Sequence, residues 1–389
     1  MASSIGSSLP ARRWDGLDAL RCLAVTMVVI YHFPNAFSPR SFMQAALQKI
    51  DRVGWAGVDL FLALSGFLIA HLLFGEMRAR GRVDFGRFWT RRAFKIYPQF
   101  YFMLGLCALG LFPERSAHGV SRFLGEAFFL QNYLPHIWAH TWSLALEEHF
   151  YLIVGLLFTG AVGRFCAPRW PWIVAAIAIA CLAMRFFQGF TTPFDPVTHL
   201  YPTHLRLDSL FFGSLVAYLL HHQEGKAREW IHRFRWPLLS LTALLLAVGL
   251  CRRVGDTIWV QTAGLSCLAI AFSLLIATIV FGAFSFVPVF GRDAVLLIGR
   301  SSYAIYLWHI IVLRQILPTL DWLNPIGSVY VDLVIYLALT MGVGIALTRW
   351  LETPFLKFRE RFFPPKNAAT ANSESGDLHS APYRFEISK

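Results

Sequence analysis

The sequence predicts an all-α fold, a polytopic transmembrane helical bundle of about ten spans. Three observations carry that prediction. Of 389 residues, 56% are hydrophobic and 15% charged, whereas soluble domains carry about 25% charged residues. Apolar stretches long enough to cross about 30 Å of hydrocarbon recur from end to end. Lys and Arg are concentrated on alternate connecting segments, with 24 of the 35 on one set, 7 on the other and 4 inside spans. That excess assigns the basic segments, and both termini, to the cytoplasm. Much of the net charge of +12 therefore records topology, not a nucleic-acid surface.

The predicted spans cover 17–37, 55–74, 94–112, 144–163, 171–188, 205–221, 236–251, 259–282, 297–317 and 327–348. Residues 1–16 form a cytoplasmic N-terminus without a cleavable-signal pattern. Residues 17–358 form the membrane domain, and 359–389 read as a disordered cytoplasmic tail. The six cysteines are scattered, with no C-x-x-C spacing, and read as small apolar fillers, not metal ligands.

Ionisable residues inside spans are costly and point to function. In span one, Arg21 and His32 differ by about 20° around the helix and about 16 Å along it, and Asp18 lies near the same stripe. Span two, WAGVDLFLALSGFLI, carries Asp59 at its outer end, with Ser65 and Gly66 deeper. Gly66 suits close helix packing. The block FWTRRAFKIYP puts Arg91, Arg92 and Lys95 at the inner mouth of span three, where they serve either as positive-inside anchors or as a phosphate grip. Span four, HTWSLALEEHFYL, holds Glu147 and Glu148. Ser143, Glu147 and Tyr151 share one face, and Glu148 points about 100° away. H-E-x-x-H zinc spacing is absent. Span six opens HLRLDSLFFG, where Arg206 and Asp208 read as an internal ion pair or as acceptor contacts, and span nine carries His309 at mid-depth. The topology sorts these residues into an outer zone of carboxylates and His32 and an inner zone of Arg21, Arg91, Arg92 and Lys95.

In order along the chain, Arg21 with ten residues to His32, WAGVDLFLALSGFLI, FWTRRAFKIYP, TWSLALEEHFYL, RLDSLFFG, SYAIYLWH and LETPF resemble the acyltransferase-3 family of integral membrane acyltransferases. The resemblance runs from about residue 14 to 358. It implies an O-acyltransferase of the plasma (inner) membrane. The acyl group, typically acetyl, moves from acyl-coenzyme A at the cytoplasmic side to a hydroxyl of a glycan, lipid or exported small molecule. No metal or nucleic acid is implied. The family's functional Arg–His pair falls on Arg21 and His32, its basic block on Arg91 and Arg92, and its acidic motif on Glu147 and Glu148. Lys95 stands where arginine is frequent, which keeps charge but loses bidentate geometry. Some members append an SGNH-type hydrolase domain. None follows the last span in this sequence, so transfer is expected to finish within the bundle or on a partner.

On this reading His32 is the general base, since an imidazole with an ordinary pKa near 6.5 suits that task. Glu147 or Glu148 orients it. Arg91, Arg92 and Lys95 hold the coenzyme A phosphates, and Arg21 lines the path of the pantetheine arm or assists the oxyanion. Asp59, Arg206, Asp208 and His309 are assigned to the acceptor site. Direct attack is favoured over an acyl-enzyme because no activated Ser or Cys is apparent, with an acyl-His32 relay as the alternative. The competing function is a transporter or flippase of a glycan or lipid-linked precursor, which also needs buried charge at mid-depth. The outer loops 113–143 and 189–204, with His118, His136, His140, Asp195 and His199, are expected to shape the acceptor site.

Overall fold

The computed structural model describes residues 14–33, 52–112, 119–288, 290–325 and 327–363. Those residues form an all-helical bundle, with one isolated bridge, Val83 to Thr159, as the only extended pairing among them. Helix α1 (Asp15–His32) begins with two acidic residues, Asp15 and Asp18, in its first turn, where carboxylates favour the positive end of the helix dipole. Helix α2 (Gly57–Arg80) stops at Gly81, whose φ of 66° gives the left-handed turn that glycine adopts freely. The Asp84 side chain then caps α3 (Phe85–Ala108) by accepting from Arg87 N at 3.1 Å. A short amphipathic helix, α4 (Val120–Ala127), precedes α5 (Trp142–Leu157). There follow α6 (Trp170–Thr191), α7 (Leu207–His222), α8 (Arg235–Gly249) and α9 (Leu265–Val280). The last described elements are α10 (Arg292–Arg300), α11 (Ser302–Ile311), α12 (Val329–Leu347) and α13 (Thr353–Phe362).

Every predicted span contains a helix. Five helical segments are long and apolar enough to cross a membrane on their own, and a sixth qualifies if Glu224–Arg233 and Arg235–Gly249, bent by 79°, count as one span. The others fall short for a physical reason. Helix α1 carries Asp15, Asp18 and Arg21, α3 carries Arg87, Arg91, Arg92 and Lys95, and α5 and α7 have 16 residues each, about 24 Å of helix. Each packs against neighbouring helices within the bundle. The predicted ninth span divides at Ser301: α10 lies on α1, and α11 continues into the bundle. The predicted tail boundary at 358/359 falls inside α13, which runs to Phe362, while 364–389 and 1–13 lie outside the described residues.

The tightest crossing is α2 on α7. A Cβ on Gly66 would stand 1.9 Å from the Leu210 carbonyl oxygen, and one on Gly213 would stand 2.0 Å from that of Ala63. The two backbones touch reciprocally, with no flexible side chain to yield. Gly66→Ala is therefore expected to separate the helices and destabilise the fold by at least the ~1–3 kcal/mol of ordinary overpacking. A thermal melt in detergent reads this as a lower midpoint. An unchanged midpoint would contradict the crossing.

Candidate functional site

Three histidines meet at the end of the bundle opposite the arginines. His32, on the last residue of α1, packs against His309 of α11 with ring centroids 4.8 Å apart, and His309 packs against His140 at 5.1 Å. Backbone carbonyls only accept hydrogen bonds, so they fix which nitrogen carries hydrogen. His309 Nδ1 lies 2.5 Å from the Tyr306 carbonyl and therefore carries the proton. His309 Nε2 is then a bare acceptor, 3.3 Å from His32 Nδ1. His32 Nδ1 also lies 2.9 Å from the Val28 carbonyl. It must donate, shared between Val28 O and His309 Nε2, which leaves His32 Nε2 with its lone pair free. His32 lines a cavity of about 580 Å³ together with Phe33, Leu313, Arg314, Asp321 and Asp332. Among the described residues no group of three His, Cys, Asp or Glu is arranged to hold a metal ion.

The backing of His32 differs from the sequence expectation. Neither Glu147 nor Glu148 is hydrogen-bonded to it. Histidine and a main-chain carbonyl pack against its Nδ1 instead, and His309, assigned from sequence to the acceptor site, is fully buried behind His32. The reason is depth along α5. Ser143 is level with the histidines, with its Oγ 2.7 Å from Tyr306 Oη, and Tyr306 Oη donates to the His140 carbonyl at 2.6 Å. Glu147 lies one turn deeper, about 6 Å along the axis.

At that depth Glu147 accepts from Ser65 Oγ of α2 at 2.8 Å and from Tyr151 Oη at 2.5 Å. Arg92 and Arg21 are its charged neighbours. Glu148, on another face, accepts from Tyr97 Oη of α3 at 3.2 Å, and its other oxygen is buried without a partner. The carboxylates thus form a middle layer between the histidines and the arginines, not part of an outer zone with His32.

The basic end is largely neutralised from within. Arg21 pairs with Asp18 at 2.8 Å, and Asp18 also takes Arg300 at 3.2 Å. Arg91 pairs with Glu360 of α13 at 3.1 Å and donates to the Phe363 carbonyl at 2.5 Å. Lys95 is bonded to Glu352, which also accepts from Gln99 at 2.9 Å. Arg92 differs from its neighbours: it makes no hydrogen bond or ion pair among the described residues, and it sits close to Tyr151, Arg359, Arg91 and Arg21.

Asp59, Arg206 and Asp208 form a third group, and their pairing departs from the sequence expectation. Arg206 bonds Asp59 at 2.5 Å, while Asp208 takes Arg185 of α6 through contacts of 3.1 and 2.6 Å. All four are at most 2% exposed. They cross-link α2, α6 and α7 and are not among the residues that line the His32 cavity.

Sequence reasoning gave no role to Glu126, Arg185 or Tyr306. Glu126 of α4 is fully buried and accepts from Ile137 N at 3.0 Å and Trp138 N at 3.2 Å, which holds the loop that carries His140. Burial pushes its pKa up to about 7, against the lowering effect of those N–H groups. The local hydrogen count agrees. Thr141 Oγ1 lies 2.7 Å from the Trp138 carbonyl and 3.0 Å from Glu126 Oε2, and its single proton serves one of them. A protonated Glu126 supplies the second. Because the folded pKa lies above the ordinary value of 4.5, this stabilisation is complete below about pH 4.5 and is lost as pH rises through about 7. The midpoint of a thermal melt should fall between pH 5 and pH 8, and Glu126→Gln, which keeps both acceptor and donor, should flatten that fall. An equally steep fall in the Gln variant would refute the assignment.

The profile of the acyltransferase-3 family, described as an acyltransferase domain, matches residues 14–349. Among curated proteins the chain is similar to O-acetyltransferase OatA of Staphylococcus aureus, both strain NCTC 8325 / PS 47 and strain COL. Each is 25% identical over 379 residues, covering 91% of this chain and 59% of the relative. The chain thus spans 59% of the length of these relatives. No solved structure matches it.

Proposed function

The chain belongs to the acyltransferase-3 family, and from that premise we propose that it is a membrane O-acyltransferase. It moves an acyl group, typically acetyl, from acyl-coenzyme A at the cytoplasmic side to the hydroxyl of a glycan or other exported acceptor. The observation that carries this reading is His32, whose Nδ1–H is committed to Val28 O and His309 while its ring lines a cavity. That is the protonation pattern a general base needs. His32 Nε2 takes the acceptor proton as the hydroxyl oxygen bonds to the thioester carbon. The C–S bond breaks, and the imidazolium returns the proton to the departing thiolate. His309 Nε2 accepts from the imidazolium and stabilises it.

The two ends are joined by one face of α5, along which Ser143, Glu147 and Tyr151 extend about 12 Å. The pantetheine arm follows that face, with Arg21 beside its path. Arg92 is the cation best suited to a donor phosphate, because Arg91 and Lys95 already hold carboxylates. The test is transfer from radiolabelled acetyl-coenzyme A to cell-envelope glycan extract by the purified full chain. Arg92→Ala is expected to raise the donor KM about tenfold, the equivalent of one charge-assisted hydrogen bond, with a smaller change in kcat. An unchanged donor KM would remove Arg92 from the donor site. Substrate movement across vesicles without label transfer would replace the enzyme reading with the transporter.

A further inference from the structure

A second cavity, of about 560 Å³, opens at the histidine end between the segment after α4 and the segment after α6. Its polar lining includes Arg122, Asn132, Tyr133, His136, Gln188 and His204. We propose that it binds a neutral saccharide unit of the acceptor, adjacent to the unit whose hydroxyl reaches His32. This rests on the acyl-transfer reading for its place in the reaction, but not for the binding itself.

The lining selects the ligand class. Two amides, two imidazoles and a phenol each offer both a donor and an acceptor, which matches hydroxyl groups that donate and accept. No carboxylate is among the lining residues, and Arg122 is the one permanent cation there. Part of its capacity is spent on the His136 carbonyl at 3.2 Å. Burial lowers the pKa of both His136 and His204, with Arg122 adding to the effect at His136. Both rings are therefore neutral at pH 7, and a multivalent anion would find a single cation. Asn132 is 3% exposed. Its Nδ2 donates to Thr203 Oγ1 at 3.1 Å, and its buried Oδ1 has no partner. An orphaned amide oxygen costs free energy until a donor reaches it.

Shape points the same way. Tyr133 is 54% exposed, and His204 backs it with ring planes 15° apart and a 3.1 Å contact between Tyr133 Oη and His204 Nδ1. The result is a fixed flat wall suited to the C–H face of a pyranose. Aromatic rings also lie between the cavity and His32. His136 packs on Tyr201 at 5.8 Å, Tyr201 is an electrostatic neighbour of Tyr31, and Tyr31 packs edge-on against His32 at 5.1 Å. Binding energy from a unit held here would position the reacting hydroxyl.

The experiment is saturation-transfer NMR on the detergent-solubilised full chain with maltotetraose, chitotetraose and inositol hexakisphosphate as probes. At least one neutral tetrasaccharide is expected to receive saturation. Its Kd should rise at least tenfold in Tyr133→Ala and in Gln188→Ala. Circular dichroism confirms that the variants fold. No transfer to either tetrasaccharide, or transfer that survives both cavity variants, overturns the proposal. Tighter binding of inositol hexakisphosphate than of either sugar also overturns it, in favour of an anion site. Because the readout needs no turnover, loss of acyl transfer and loss of sugar binding are separate failures.

Discussion

His32→Ala is expected to reduce acyl transfer by roughly 10²–10⁴-fold, the usual worth of a positioned general base. The protein should still fold, because His32 is only partly buried and its side-chain bonds are to Val28 O and to His309. The proposed mechanism also fixes the relative severity of three variants. His32→Gln can still donate to the Val28 carbonyl, but it has no basic nitrogen, so it should be as inactive as alanine. His309→Ala leaves the base and its carbonyl anchor in place and removes only the acceptor behind Nδ1–H. A loss of about tenfold is expected there, with acceptor KM little changed. Glu147→Gln acts at a different depth and should leave the acid limb of the rate profile, which reports His32, where it was. Initial rates with radiolabelled acetyl-coenzyme A across pH give these quantities. His32→Ala within threefold of the parent rate would end the base assignment. A shifted acid limb in Glu147→Gln, but not in His309→Ala, would return the carboxylate to the orienting role expected from sequence.

The bundle was legible in the sequence because lipid imposes one rule on every span. Apolar length and Lys/Arg bias locate the helices whatever their partners are. The stripe joining Arg21 to His32 was also legible, since both residues lie on one helix and helical geometry fixes their relation. Pairing between helices was not. Arg206 and Asp208 are two residues apart in the sequence and opposite in charge, yet side chains at that spacing on a helix do not face each other, and each finds its partner on another helix. His309 looked like an acceptor contact because mid-span polarity signals function without saying which side of His32 the residue lies on. Glu126 gave no signal at all: a lone acidic residue in an outer loop looks solvated until the fold encloses it. Helix α1 is also hard to read as a span because charged residues of the candidate site interrupt it, and α5 and α7 because they are only 16 residues long.

The second large effect is expected at the buried charges. Asp208→Asn would leave the Arg185 guanidinium, 2% exposed, with amide and carbonyl oxygens in place of a carboxylate. Breaking such a pair from one side costs about 3–5 kcal/mol, because the surviving charge stays buried. Arg206→Met should act alike through Asp59, even though Arg206 also lies over the Trp142 ring at 5.4 Å. Replacing both members of a pair, as in Asp59→Leu with Arg206→Met, removes both charges and should recover most of the loss. Acceptor contacts would behave otherwise. Their single substitutions would raise acceptor KM at nearly constant stability, and the double substitution would be worse than either single one. Thermal midpoints and acceptor KM for the two singles and the double therefore separate the readings. Recovery of stability in the double variant makes this network a clamp that holds α2, α6 and α7 together. An acceptor KM raised in both singles, with thermal midpoints unmoved, would make it part of the substrate site.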